Sequence, residues 1–163
     1  LYTAIFDTPL GLMRAVSDTK YLYGLMFCGD IIKVDLPNCF LLKQLNHELE
    51  LYFQGVLNVF SIPYQFTSGS RFQQSIWTIL FGQTSTYADV AQQISNPKAI
   101  RAVGHALSKN PFQLILPCHR VIQTNGDIGE YQAGAEKKKW LIQHEKSIVN
   151  ISSILKNQLT NLD

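Results

Sequence analysis

Hydrophobic and polar positions alternate in short bursts along the first third of the chain. Tyr2 to Asp7, Gly11 to Ser17 and Tyr21 to Phe27 are β-branched or aromatic stretches separated by the turn residues Thr8-Pro9 and Asp18-Thr19. That pattern predicts an antiparallel meander. After the turn-rich segment from Gly29 to Asn38 the period changes: Leu41, Leu42, Leu45, Leu49, Tyr52 and Phe53 recur at helical spacing and stop at Gly55. One helix is therefore expected to pack on the small sheet.

A stretch containing Ile62-Pro63 and Ser68-Gly69-Ser70 interrupts the pattern and is the expected domain boundary. Beyond it the periodicity is helical. Phe72, Ile76, Ile79 and Leu80 form one face, and Tyr87 to Ile94 predict a second short helix. Asn96-Pro97 predicts the start of a third, with Asn96 capping it and Pro97 in a first turn that needs no backbone donor. Ile100, Val103 and Leu107 mark its buried side. The last two helices read as a helix-turn-helix, a unit that serves DNA binding and also plain packing. The surface run Arg101-Ala102-Val103-Gly104-His105-Ala106 is small apart from Arg101 and His105, which lets a backbone approach a narrow partner. Leu114-Ile115-Leu116 is a short buried-strand candidate, and Ile148, Ile151, Ile154, Leu155 and Leu159 predict a further amphipathic helix. The expected fold is α+β. An N-terminal α/β domain, residues 1–67, is a small antiparallel sheet with a packed helix; residues 68–163 form a mostly helical, winged-helix-like C-terminal domain.

Composition narrows the class. With 46% apolar and 16% charged residues, the chain is a folded enzyme or binding module and not a disordered segment. The net charge of +2 hides an asymmetry, since residues 1–67 hold four Lys/Arg against six Asp/Glu and residues 68–163 hold ten against six. A basic C-terminal half is compatible with a phosphate-bearing partner. No apolar run approaches the roughly 18 residues of a membrane span, and no signal peptide opens the chain, so no membrane partner is expected. Three cysteines leave at least one unpaired and point to a reducing intracellular compartment, the cytoplasm in a prokaryote or the nucleus in a eukaryote.

Cys28 and Cys39 read as small buried hydrophobes. Cys118 differs, because Pro117, His119 and Arg120 flank it, and two cationic neighbours are expected to lower a thiol pKa and yield a thiolate.

The segment Leu116-Pro117-Cys118-His119-Arg120-Val121-Ile122 resembles the active-site signature of the O6-alkylguanine-DNA alkyltransferases. The resemblance extends upstream through Tyr87, Asn96-Pro97-Lys98-Ala99, Arg101-Ala102-Val103-Gly104 and Asn110-Pro111. Downstream it includes Gly126, Gly129, Tyr131, Gly134, Lys138, Trp140-Leu141 and His144-Glu145. The N-terminal half agrees more loosely, through Pro9-Leu10-Gly11, Tyr52-Phe53-x-Gly55 and Phe72-Gln73-Gln74.

The resemblance implies DNA repair by irreversible, single-turnover transfer of an alkyl group from O6-alkylguanine to Cys118, with O4-alkylthymine left open as a second substrate. It implies a relay in which His119, oriented by Glu145, takes the Cys118 proton through a water. It gives Asn110 the task of holding the cysteine loop. Tyr87 crowds the phosphate and assists the leaving base, and Arg101 fills the gap in the base stack. Ala102, Gly104, His105 and Arg120 join Tyr87 and Arg101 on the DNA side, while Pro117, Tyr131, Gln132 and Ala133 line the alkyl pocket. The implied partner is double-stranded DNA entered through the minor groove by a monomer, with the target nucleotide flipped out. No cofactor and no metal ligands are expected. Some similar proteins hold a structural zinc, but Cys28, Cys39 and His47 show no recognisable ligand spacing.

Three rival readings also fit parts of the sequence. A non-catalytic, lesion-sensing relative replaces the cysteine, whereas Cys118 is present. A cysteine hydrolase built on Cys118, a histidine and Asn110 leaves the helix-turn-helix unexplained. A helix-turn-helix regulator with a sensing cysteine predicts sequence-specific binding without lesion preference. Two departures from the family stand out: about four residues fewer between Trp77 and Gly82, and different residues at Gln132 and Ala133.

Overall fold

The computed structural model describes residues 1–30, 35–79 and 84–161, with the backbone alone for 149–153. Three antiparallel strands, β1 (Tyr2–Thr8), β2 (Gly11–Ser17) and β3 (Leu22–Phe27), form the expected meander in the order β1-β2-β3. Register is fixed by tight pairing from Tyr2 opposite Ser17 to Thr8 opposite Gly11, and by Met13 opposite Phe27 on the other side. Ala4, Phe6, Met13, Ala15, Leu22 and Leu25 are buried on one face of this sheet. Helix α1 (Phe40–Phe53) buries Leu41, Leu42, Leu45, Leu49 and Tyr52 as its helical spacing predicts.

Ser70 opens α2 (Arg71–Trp77) through a capping box with Gln73. The Trp77 indole N–H then donates to the Ala106 carbonyl at 2.6 Å, tying α2 to α4 (Ile100–Leu107). The expected Ile79 lies just past α2. Leu80 and Phe81, between Trp77 and Gly82, fall outside the described residues, so the departure in length there has no structural account. A two-residue strand β4 (Ser85–Thr86) leads into α3 (Tyr87–Gln93), and α3 and α4 pack together.

Two elements differ from expectation. Asn96 does not cap α4: Ser95 adopts φ +58° to end the preceding turn, and the Ala99 N–H bonds to the Asn96 carbonyl at 3.0 Å. The Asn96-Pro97 pair thus makes a β-turn, and the helix begins three residues later at Ile100. The C-terminal amphipathic segment is not a separate helix either, because α5 runs unbroken over Ala135–Thr160 with no glycine or proline to stop it. Ile154, Leu155 and Leu159 are exposed on its far end.

The hydrophobic core is continuous. Phe112 packs against Tyr64 and Phe66, and Phe66 against Trp77. The Leu25 N–H bonds to the Pro111 carbonyl and the Gln113 N–H to the Leu25 carbonyl, so β3 lies directly beneath the segment that precedes Cys118.

Candidate active site

A short parallel pairing sets the site. In it Ser85 lies opposite Val121 and Thr86 opposite Ile122, joining β4 to β5 (Val121–Ile122). Tyr87 follows one strand directly, and the Cys118–Arg120 turn directly precedes the other, so the two are brought together by backbone pairing. Thr86 fixes the start of α3 with a capping box: its hydroxyl accepts the Asp89 N–H at 3.1 Å, and the Asp89 carboxylate accepts the Thr86 N–H at 3.0 Å.

Asn110 organises the other approach. Its buried side-chain amide donates to the Leu116 carbonyl at 2.9 Å and the Phe112 carbonyl at 3.3 Å, and its oxygen accepts the Phe112 N–H at 2.9 Å. The expected strand at Leu114-Ile115-Leu116 is therefore a turn. Asn110 occupies carbonyls that a neighbouring strand would have bonded, and Leu114 takes φ +71°, a conformation a leucine adopts only when its surroundings hold it there.

Pro117 delivers the chain into a 3-10 turn over Cys118–Arg120, closed by the Arg120 N–H bonding to the Pro117 carbonyl at 3.0 Å. At three residues per turn, successive side chains leave about 120° apart. Cys118 faces a cleft, while His119 and Arg120 turn inward to the same carboxylate on α5. His119 Nε2 lies 2.7 Å from Glu145 Oε1, and Arg120 Nε donates to Glu145 Oε2 at 2.7 Å. Arg120, expected on the DNA surface, is thus an internal residue, 8% exposed and ion-paired to Glu145. The Glu145 carboxyl is opposed by burial, yet the hydrogen bonds and charges of His119 and Arg120 outweigh that cost and bring it down to about 2.

The thiol behaves differently from expectation. Burial pushes Cys118 up to about 12, and the Lys138 charge and an Asn110 hydrogen bond offset this only in part. His119 and Arg120 instead pair with Glu145. The cation that acts on Cys118 is Lys138, itself almost fully buried and brought down to about 8 by that burial. Its ammonium donates to the Glu130 carbonyl at 3.1 Å and reaches the Tyr87 hydroxyl at 3.5 Å. Burial, with the charges of Glu130 and Cys118, raises the Tyr87 phenol.

Cys118 opens on a cleft of about 840 Å³ walled by Tyr87, Ile100, Gly104, Gln123, Tyr131 and Gln132 among others. Against known proteins, residues 70–147 match the family model described as 6-O-methylguanine DNA methyltransferase, DNA binding domain. The methylated-DNA–protein-cysteine methyltransferase of Methanosarcina acetivorans is 36% identical over 156 residues, covering 90% of this chain and 99% of that protein. Its counterpart from Mycobacterium leprae is 41% identical over 157 residues, covering 91% and 94%. Among solved structures, Mycobacterium tuberculosis OGT in complex with DNA superposes with a TM-score of 0.80 at 32% identity, covering 91% of this chain and 94% of that one. The chain belongs to the methylated-DNA–protein-cysteine methyltransferase family.

In this family member the remaining expected residues divide by place. Arg101, Ala102 and His105 are exposed on α4, and Gly104 sits against the Tyr87 ring, where an added Cβ would lie 3.8 Å away. Tyr131 and Gln132 wall the cleft with Cys118; Pro117 is buried and Ala133 half-buried, and neither lines it. Among the described residues no group of three or more His, Cys, Asp or Glu side chains is placed to hold a metal ion, and no helix is long and apolar enough to cross a membrane.

Two contributors had no role assigned from sequence. Lys138, Leu141, Ile142 and Glu145 stand at i, i+3, i+4 and i+7 on α5, so a lysine and a glutamate occupy its buried stripe, a legible sign of internal polar work. Gln113 gave no such sign. Its buried oxygen accepts the Phe27 N–H at 2.7 Å, and its amide nitrogen reaches the Gln132 oxygen at 3.5 Å, linking β3 to the cleft wall.

Proposed function

We propose that this protein repairs DNA by moving an alkyl group from O6 of guanine onto Cys118, once and irreversibly. The observation that carries the reading is a buried thiol opening on a cleft of about 840 Å³, with an imidazole–carboxylate pair behind it. An ionised carboxylate only accepts, so Nε2 of His119 carries the proton shared with Glu145 and Nδ1 holds a lone pair. Nδ1 is buried with no hydrogen bond to the protein, which leaves it to take the Cys118 proton through one bridging water.

The thiolate attacks the alkyl carbon; the S–C bond forms as the C–O6 bond breaks, and O6 keeps the bonding electron pair while the base stays joined to its sugar. It needs one proton. The Tyr87 hydroxyl, backed by the Lys138 ammonium, is the donor facing the cleft. The product thioether has no carbonyl for water to attack, so the acceptor is not regenerated and no cofactor enters.

Reaching O6 requires the nucleotide to leave the stack, at a cost of a few kcal/mol that damaged pairing reduces. Exposed Arg101 on α4 fills the gap, while Ala102, Gly104 and His105 let the helix approach in the minor groove, the protein acting as a monomer. Arg120 plays no part in that surface. Incubated with excess duplex containing O6-methylguanine, the protein converts one O6-methylguanine per chain to guanine within the strand and then stops, and Cys118→Ser converts none. Continued turnover, or repair by Cys118→Ser, would contradict the proposal.

A further inference from the structure

The Tyr52-Phe53-x-Gly55 stretch lies at the end of α1, far in sequence from Cys118, and the mechanism above makes no use of it. Tyr52 is fully buried, and its hydroxyl donates to Glu145 Oε1 at 2.8 Å, the same oxygen that holds His119 Nε2 at 2.7 Å. Its backbone is held as well: the Tyr52 carbonyl lies 2.7 Å from His144 Nε2, and the His144 ring stacks on Trp140 with centroids 4.8 Å apart. We infer that Tyr52 is a positioning residue for alkyl transfer, its hydroxyl fixing Glu145 Oε1 and thereby the orientation and basicity of His119.

The hydroxyl shares one lone-pair-bearing oxygen with the imidazole. A donor there withdraws charge from the carboxylate, so the carboxylate holds an imidazolium less strongly and the imidazole is freed to act as base at lower pH. Burial, followed by the Glu145 charge and hydrogen bond, raises the Tyr52 phenol far above its ordinary value, so the hydroxyl remains a donor throughout. The other titratable groups around the pair are Arg120 from the 3-10 turn, Tyr131 from the cleft wall, Cys118 with Lys138 beyond it, and His144 against the Tyr52 ring. Arg120 bonds mainly Oε2, leaving Oε1 to Tyr52 and His119, although its terminal nitrogen also reaches Oε1 at 3.2 Å. Positioning would thus extend from the N-terminal half of the chain into the relay.

This inference rests on the relay of the proposed function, and Tyr52→Phe tests it by removing one oxygen from a buried ring. Single-turnover methyl transfer from duplex O6-methylguanine should slow about tenfold, with the acid limb of the pH–rate profile moved up by roughly half a unit to one unit. In the Glu145→Gln background the same change should have no further effect on the profile. A simple packing role would lower stability without moving the limb and would persist in that background. Tyr52→Met, also lacking the hydroxyl, should shift the limb in the same direction. An unmoved limb, or unfolding of both Tyr52 variants, would overturn the inference. Failure of the wild-type protein to methylate Cys118 would instead overturn the proposed function on which it depends.

Discussion

At Cys118, burial favours the protonated thiol, and the proposed relay assigns removal of that proton to His119 through a water. The sequence signature located this residue but suggested the wrong electrostatics, because adjacency in sequence does not reveal direction around a 3-10 turn. His119 and Arg120 both turn to Glu145. That pairing has a pH signature. Glu145 titrates at about 2 in the folded protein against an ordinary 4.5, so its contribution to stability is complete above about pH 4.5 and is lost as pH falls toward 2. The urea midpoint of the wild-type protein should therefore drop more steeply from about pH 5 to pH 3 than that of Glu145→Gln; parallel drops would show that the pair contributes nothing. On the DNA side, Arg101→Ala should abolish most of the fluorescence rise of a flipped 2-aminopurine while changing nonspecific affinity less than about threefold.

Among the elements, hydrophobic periodicity was enough to place the meander, α1 and the helical second half, since each buries one face. It could not show where local polar bonds override pattern. The apolar run at Leu114-Ile115-Leu116 reads as a strand, but the Asn110 amide captures the Leu116 and Phe112 carbonyls and folds the run into a turn. Asn110→Ala leaves several buried backbone groups without that partner, so it should cost about 2–4 kcal/mol in chemical denaturation and slow methyl transfer as well. Gly129 is a second fixed point. It adopts φ +77°, and an added Cβ would lie 3.2 Å from the Tyr87 hydroxyl and 3.3 Å from the Gln123 side chain. Gly129→Ala should displace Tyr87 and reduce the transfer rate more than lesion affinity, a split that single-turnover kinetics at saturating DNA would read. Equal losses in both would place the effect in binding instead.

For the whole molecule, charge and the continuous core divide the work. Residues 68–163 carry the basic excess, and the comparatively acidic first part supplies the sheet and α1 that support the site from below. With two or three phosphate contacts, affinity for duplex should fall about ten- to fortyfold between 50 and 200 mM salt, a dependence that a titration followed by anisotropy would show. Sequence could announce the basic half, the signature and the helical pair; it could not announce that Phe27, Gln113 and Gln132 connect the sheet to the cleft, because those links join residues far apart in the chain. The most direct measurement is peptide mass spectrometry after reaction with duplex carrying one O6-methylguanine. A methyl group on the Cys118 peptide and on neither the Cys28 nor the Cys39 peptide is the predicted result. An unmodified Cys118 beside tight lesion binding would contradict it.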